Sequence, residues 1–211
     1  MKGYVINLKK REDRLRRFQE NIQKNLQQIL PILIEVVEAI DGETINIANN
    51  FFQKNVNKWN FEFLPDKNLR GVVACCLSHL KVYNKIMNDT EPYAYVFEDD
   101  CIIKEVGNLS NLTNLILPEK FGIIFMNEWG KLETQDCDYE NLEFISSGFQ
   151  TAESYIISKE YAKIMFQENM KNIGAIDAHM VELRKKYPEY PYYTLKNTLF
   201  IQYDRTDSNI R

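Results

Sequence analysis

The sequence predicts an α/β domain with a mostly parallel sheet flanked by helices. Three observations carry that expectation. Short β-branched and aromatic runs alternate with helix-period stripes along the chain, the N-terminus follows a strand–helix–strand order, and 211 residues suffice for one ordinary core. A strand–helix–strand order is how parallel neighbours are joined by a crossover. There is no internal repeat, and the compositional bias is only towards Asn, Lys and Ile.

The elements follow in order. Gly3 to Leu8 is a short apolar run, read as the first strand, and Leu15, Phe18, Ile22, Leu26, Ile29 and Leu30 then recur at three- and four-residue steps as one helix face. Pro31 stops that helix, and Ile32 to Ile40 forms a second strand closed by the turn signal Asp41-Gly42. Asn46 to Asn68 is polar but carries Phe51, Phe52, Trp59, Phe61 and Phe63, so an irregular or short-helical excursion with buried aromatics is expected there. Val73, Cys76, Leu77, Leu80, Tyr83, Ile86 and Met87 mark one stripe of a helix from Arg70 to Met87. Tyr93 to Phe97 is the next strand, Phe121 to Met126 another, and Asn127 to Asn141 reads as a polar loop. Ser154 to Ile157 is a strand, Ser158 an N-cap for a helix from Lys159 to about Met170, and Ile176 to Lys186 a further helix ended by Pro188 and Pro191. Thr198 to Tyr203 is the last strand.

Composition excludes several classes. A net charge of −4 argues against a nucleic-acid binder that works through bulk electrostatics. The apolar stretch after Met1 is interrupted by Asn7 and the basic run from Lys9, too short for a signal peptide or a membrane span. Cys75, Cys76, Cys101 and Cys137 form no CxxC or Cys/His ligand pattern, which favours reduced thiols over a zinc centre. The expectation is a cytoplasmic protein.

The chemistry concentrates at Glu98-Asp99-Asp100, three acids on the exit of the Tyr93 strand. Adjacent carboxylates repel one another, and a divalent cation bound by hard oxygen ligands resolves that repulsion. On a strict strand Glu98 and Asp100 share one face while Asp99 points away. Ligands in an open α/β sheet bind beyond the carboxyl ends of strands, so Asn7 at the end of the first strand and the basic groups that follow, Arg11 and Arg14 among them, sit where a nucleotide would. There is no GxGxxG and no GxxxxGK[ST], against a dinucleotide-dependent dehydrogenase or a P-loop NTPase. Ser78 and His79 lie on a largely apolar helix, where a histidine is first of all a core residue. Asp177 and His179 converge only if their segment begins in a loop or at the first helical turn.

Taken together, Val5-Ile6-Asn7-Leu8 with Asp13-Arg14, Ala39-Ile40-Asp41-Gly42, Gly71 to Leu80 with its Cys-x-Ser-His, Val96 to Asp100, Ser154 to Lys159 with Ala162, and Gln202 with Ser208-Asn209-Ile210 resemble glycosyltransferase family 25. That family includes lipooligosaccharide and collagen galactosyltransferases. The resemblance implies a Rossmann-like GT-A fold over residues 1–211, a nucleotide-binding half to about 105 and an acceptor-side half after about 106. It also implies a UDP-sugar donor, Mn²⁺ or Mg²⁺, and inverting transfer to a glycan acceptor of a bacterial surface polysaccharide. By that resemblance Asp100 and Glu98 are the expected metal ligands, with His179 as a third, and Asp99 contacts ribose or water. Asn7, Leu8, Arg11, Arg14, Ser78 and His79 are the expected donor-binding residues, Asp177 the first candidate base and Glu128 the second, and Trp129 a stacking face for a sugar. Many members carry a basic, membrane-associating tail, so peripheral association with the inner face of the cytoplasmic membrane belongs to the same expectation. A catalytically silent domain that binds a sugar nucleotide or a protein partner is the competing reading, and a nucleotidyltransferase the third.

Overall fold

A computed structural model describes residues 1–46 and 66–203. The aromatic excursion expected over Asn46 to Asn68 lies mostly outside the described residues, as does the Ser208-Asn209-Ile210 block.

Strand β1 (Lys2–Asn7) is buried from Gly3 to Asn7. A continuous helical stretch follows, α1 (Glu12–Phe18), a π turn (Gln19–Gln23) and α2 (Lys24–Ile29). Phe18, Ile22 and Leu26 on its inner face are fully buried. Leu30 adopts an extended backbone (φ −128°, ψ 141°), as a residue before proline must, and the helix ends there. Strand β2 (Leu33–Glu38) then pairs parallel to β1, and a short turn, Gly42–Thr44, leads away from it. Helix α3 (Asp66–Asn88) carries the long apolar stripe, and β3 (Tyr93–Glu98) pairs parallel on the other side of β1.

The second half reverses direction. After β4 (Cys101–Ile103) and the single-turn α4 (Ser110–Thr113) come β5 (Ile123–Phe125), β6 (Gly130–Asp136), β7 (Leu142–Gln150) and β8 (Ser154–Ser158). Helices α5 (Lys159–Lys171) and α6 (Ile176–Lys186) and strands β9 (Tyr193–Leu195) and β10 (Phe200–Gln202) complete the described chain. Ser158 caps α5 as expected, its Oγ accepting from the Tyr161 amide at 3.2 Å. The eight-stranded sheet runs β2-β1-β3-β8-β5-β9-β7-β6, and β4 with β10 forms a separate antiparallel pair. The sheet is parallel across β2, β1 and β3 and mixed beyond, because β8 enters antiparallel between β3 and β5.

Both faces of the central strands are covered, so alternate residues feed two cores. Tyr4, Ile6, Val96, Tyr155 and Ile157 pack with α3, α5 and α6, whereas Val5, Tyr95, Phe97 and Ile156 pack with α1 and α2. Each such side chain contributes about 1.5–3 kcal/mol when fully buried, which is why near-continuous apolar runs mark these strands.

One expectation needs correcting. The polar segment read as a loop over Asn127 to Asn141 contains β6, which forms a hairpin with β7 at the sheet edge. The hairpin places Gly148 at φ +91°, where an added Cβ would lie 2.0 Å from the Lys131 carbonyl oxygen, so glycine is required there.

Candidate active site

The parallel strands β1 and β3 end at the same edge, and a cavity of about 780 Å³ opens beyond them. Its walls are the end of β1, the Ala39–Glu43 turn, one face of α3, the acidic turn after β3, Trp129, the Thr151–Glu153 segment before β8, the start of α6, and Gln202. Ligands bind in such positions because converging strand ends leave a crevice that loops can line.

Strand β3 stops at Glu98, and Asp99 and Asp100 form the turn that follows. Strand alternation therefore does not continue into the triplet, and the expectation that Glu98 and Asp100 share a face while Asp99 points away does not hold. Instead the three carboxylates diverge. Asp99 accepts from Asn7 Nδ2 at 2.7 Å and from Arg14 Nη1 at 3.1 Å. Asp100 Oδ2 accepts from Gln202 Nε2 at 3.0 Å and lies 3.6 Å from Arg14 Nη1. Its other oxygen, Oδ1, is buried without a hydrogen-bond partner among the described residues. Glu98 turns to α3, where Oε1 is 3.2 Å from His79 Nε2 and 3.8 Å from Cys75 Sγ.

Charge is concentrated here. Burial raises the Glu98 carboxyl well above its usual range, and the charges of Asp100, Asp177 and Asp99 push it further. Asp99 is raised by burial against the opposing pull of Arg14. Asp177, in the first turn of α6, lines the cavity and is likewise raised by burial. His79 is pushed down to about 4 by burial, so its imidazole is neutral at pH 7.

The donor-side expectations are distributed unevenly. Leu8, Arg14, Ser78, His79, Glu98, Asp99, Asp100 and Asp177 all line the cavity. Asn7 stands behind the lining, holding Asp99 and the Arg11 carbonyl oxygen at 3.0 Å. Ser78 Oγ accepts from the Ile40 amide and donates to the Ala74 carbonyl oxygen, fixing α3 to the Asp-Gly turn. Gly42 packs there so closely that a Cβ would sit 3.1 Å from the Arg70 carbonyl oxygen. His79 Nδ1 meets Tyr155 Oη at 2.8 Å, and Tyr155 meets Tyr83 Oη at 3.0 Å.

Three expected residues lie elsewhere. Arg11 is outside the cavity lining, and its guanidinium pairs with Asp13 at 2.9 Å. Glu128 is outside the lining too, with its side chain 48% exposed and paired with Lys104 at 2.7 Å. His179 is buried against α5, with Nδ1 bonded to Asn169 Oδ1 and Nε2 directed at no polar partner among the described residues. Asp177 stands in the first turn of α6, as convergence would require, but His179 is turned to Asn169 and away from the cavity that Asp177 lines, so it does not converge with Asp177, Glu98 and Asp100. Residue-level reasoning passed over Glu153, whose backbone oxygen accepts the Glu98 amide at 2.8 Å. The signal was present: β8 is apolar and preceded by an acid, and an antiparallel neighbour of β3 begins where β3 ends.

The family model for "Glycosyltransferase family 25 (LPS biosynthesis protein)" matches residues 1–180. The chain belongs to glycosyltransferase family 25. Procollagen galactosyltransferase 2 of Mus musculus is 30% identical over 105 residues, 46% of this chain and 15% of the relative. A protein of Acanthamoeba polyphaga mimivirus named as a glycosyltransferase is 36% identical over 127 residues, 59% of this chain and 36% of the relative. The chain thus spans well under half the length of these relatives. Among solved structures, the glycosyltransferase involved in glycosylation of the major capsid of PBCV-1 superposes with a TM-score of 0.56 at 10% identity, covering 99% of this family 25 chain and 96% of its own. A Drosophila β1,4-galactosyltransferase 7, solved with manganese, UDP-Gal and xylobiose, superposes with a TM-score of 0.52 at 10% identity over 100% of this chain and 74% of its own. These structures share the GT-A glycosyltransferase fold with the family 25 chain. No helix among the described residues is long and apolar enough to cross a membrane.

Proposed function

We propose that this family 25 chain is a metal-dependent, inverting glycosyltransferase that moves a hexose, galactose first among the candidates, from a UDP-sugar to a hydroxyl of a surface glycan such as lipooligosaccharide. The observation that carries the reading is Asp100 Oδ1, a buried carboxylate oxygen without a hydrogen-bond partner among the described residues, in a cavity bordered by six further acids. Such an oxygen fits a hard divalent cation, Mn²⁺ or Mg²⁺, whereas Glu98, expected as a second ligand, faces His79 and Cys75 instead. When bound, the ion supplies Lewis-acid stabilisation of the diphosphate charge that develops as UDP leaves.

The chain's own residues do the rest. Asn7 and Arg14 hold Asp99, and Gln202 holds Asp100 Oδ2, so the turn is oriented before a ligand arrives. Leu8, Ser78 and His79 line the donor end, and Trp129 offers an aromatic face to a sugar ring. Asp177 takes the proton of the attacking acceptor hydroxyl on its carboxylate, and its raised pKa makes it a stronger base than an exposed aspartate. All four cysteines are free, which accords with work in a reducing cytoplasm, at the inner face of the membrane where surface glycans are built.

The test is UDP release with UDP-galactose, UDP-glucose and UDP-N-acetylhexosamines plus Mn²⁺ and glycan acceptors, beside calorimetry with UDP. Turnover with one donor, abolished by Asp100→Asn in a folded protein, is the expected result. No release and no UDP binding would refute the reading, and UDP binding without turnover would favour the silent domain.

A further inference from the structure

We propose that Cys75, His79 and Glu98 form a thiophilic divalent-metal site, of the zinc class, separate from the hard-ion position at Asp100. Cys75 and His79 are four residues apart on α3 and therefore stand on one face, and Glu98 reaches them from the end of β3. One sulfur, one imidazole nitrogen and one carboxylate oxygen lie within 4.8 Å of one another. Tetrahedral zinc with ordinary bond lengths separates nitrogen from oxygen by about 3.3 Å and sulfur from oxygen by about 3.6 Å. The corresponding distances here are 3.2 Å and 3.8 Å.

The surroundings are those of a catalytic-type rather than a closed structural site. All three residues line the cavity, which leaves a fourth position open to water or a ligand. His79 has the orienting partner that metal-bound histidines use: Nδ1 faces Tyr155 Oη, itself tied to Tyr83, which leaves Nε2 for the ion. Cys76, the adjacent thiol, is turned away to Asn169 and takes no part. A thiolate with an imidazole selects zinc-class ions over Mn²⁺ or Mg²⁺, and one thiolate plus one carboxylate neutralises a divalent charge. Binding exchanges the Cys75 thiol proton for the metal and releases that proton, together with the Glu98 proton where one is held. Cysteine and histidine spacing alone pointed away from zinc because the third ligand comes from another element.

The site is scored by metal spectroscopy, independently of whether the family 25 chain transfers a sugar. The reduced, metal-stripped chain is titrated with Co²⁺. The expected result is a thiolate-to-cobalt charge-transfer band that saturates at one equivalent. Zn²⁺ should displace it and Mn²⁺ should not; Cys75→Ser should abolish it, and Asp100→Asn and Cys137→Ser should retain it. X-ray absorption on the zinc-loaded wild type, which needs no variant, should show one sulfur beside nitrogen and oxygen ligands. Absence of the band, its persistence in Cys75→Ser, or a sulfur-free first shell would overturn the proposal.

Discussion

Replacing Arg14 by methionine tests what holds the acidic turn together. Arg14 Nη1 lies 3.1 Å from Asp99 and 3.6 Å from Asp100, and the three side chains are only 6%, 8% and 7% exposed. At an effective dielectric of about 20 each attraction is worth about 5 kcal/mol before desolvation. Truncating the cation keeps the carboxylates' desolvation cost while removing its compensation, an effect of about 3–5 kcal/mol for buried pairs. Asp99 retains Asn7 and can take up a proton, so the lower end, about 3 kcal/mol or roughly a hundredfold in the unfolding equilibrium, is expected for Arg14→Met at pH 7. Urea unfolding reads it as a midpoint lowered by about 1–2 M at unchanged slope. The pH dependence has a definite sign. Burial already raises Asp99 in the folded state, and losing Arg14 raises it further, so the penalty exists above the folded pKa and is relieved as the acid protonates. The gap between wild type and variant should therefore shrink from pH 7 to pH 5, and adding Asp99→Asn should recover much of the loss. A destabilisation below about 0.5 kcal/mol, or one that is the same at both pH values, would refute the reasoning.

Asp177→Asn should lower kcat by about 10²–10⁴ with UDP affinity retained, whereas Glu128→Gln, exposed and outside the cavity, should leave kcat near wild type; the reverse pattern in steady-state kinetics would exchange their roles. Gly148→Ala should destabilise by about 1–3 kcal/mol, because φ +91° and a Cβ 2.0 Å from the Lys131 oxygen are both incompatible with alanine, and an unchanged thermal midpoint would contradict the hairpin register. His79, depressed to about 4 from an unfolded value of 6.5, leaves the unfolded chain binding more protons in between, so its contribution is present above pH 6.5 and falls as pH drops towards 4. That contribution, up to about 3 kcal/mol, is read as the difference between wild type and His79→Gln in a pH series of urea midpoints, since Glu98 titrates in the opposite sense; parallel curves would place His79 in a wetter setting.

How much of this was legible depends on whether local pattern and tertiary placement agreed. Strands β1, β3 and β8 are apolar through their centres because both faces are covered, and the α3 stripe is long, so each could be read from the sequence. Strand β6 could not: Lys131, Glu133 and Gln135 leave it almost wholly exposed, and its pairing with β7 alone makes it a strand. At the site, the motif residues of β1, α3 and β3 do converge on one cavity. What pattern could not supply was direction. Strand alternation fails for Asp99 and Asp100 because the strand has ended, and Asp177 and His179 part company because His179 packs against Asn169 of α5. The Cys75, His79 and Glu98 grouping joins a helix to a strand exit 19 residues beyond His79, a distance in sequence that no local motif spans.

The partners of the acidic turn come from opposite ends of the chain: Asn7 from the first strand and Gln202 from the last described one, 92 residues before Asp99 and 102 beyond Asp100. Strand β10 pairs with β4, next to that turn, and its Phe200 also bonds Met126 and Glu128 just after β5, so this stretch acts as a latch between the cavity and the end of β5. During synthesis the large sheet can assemble before Gln202 leaves the ribosome, whereas the cavity cannot. The grip on Asp100 therefore forms only once β10 has been made, and a molecule clipped before β10 would lack it.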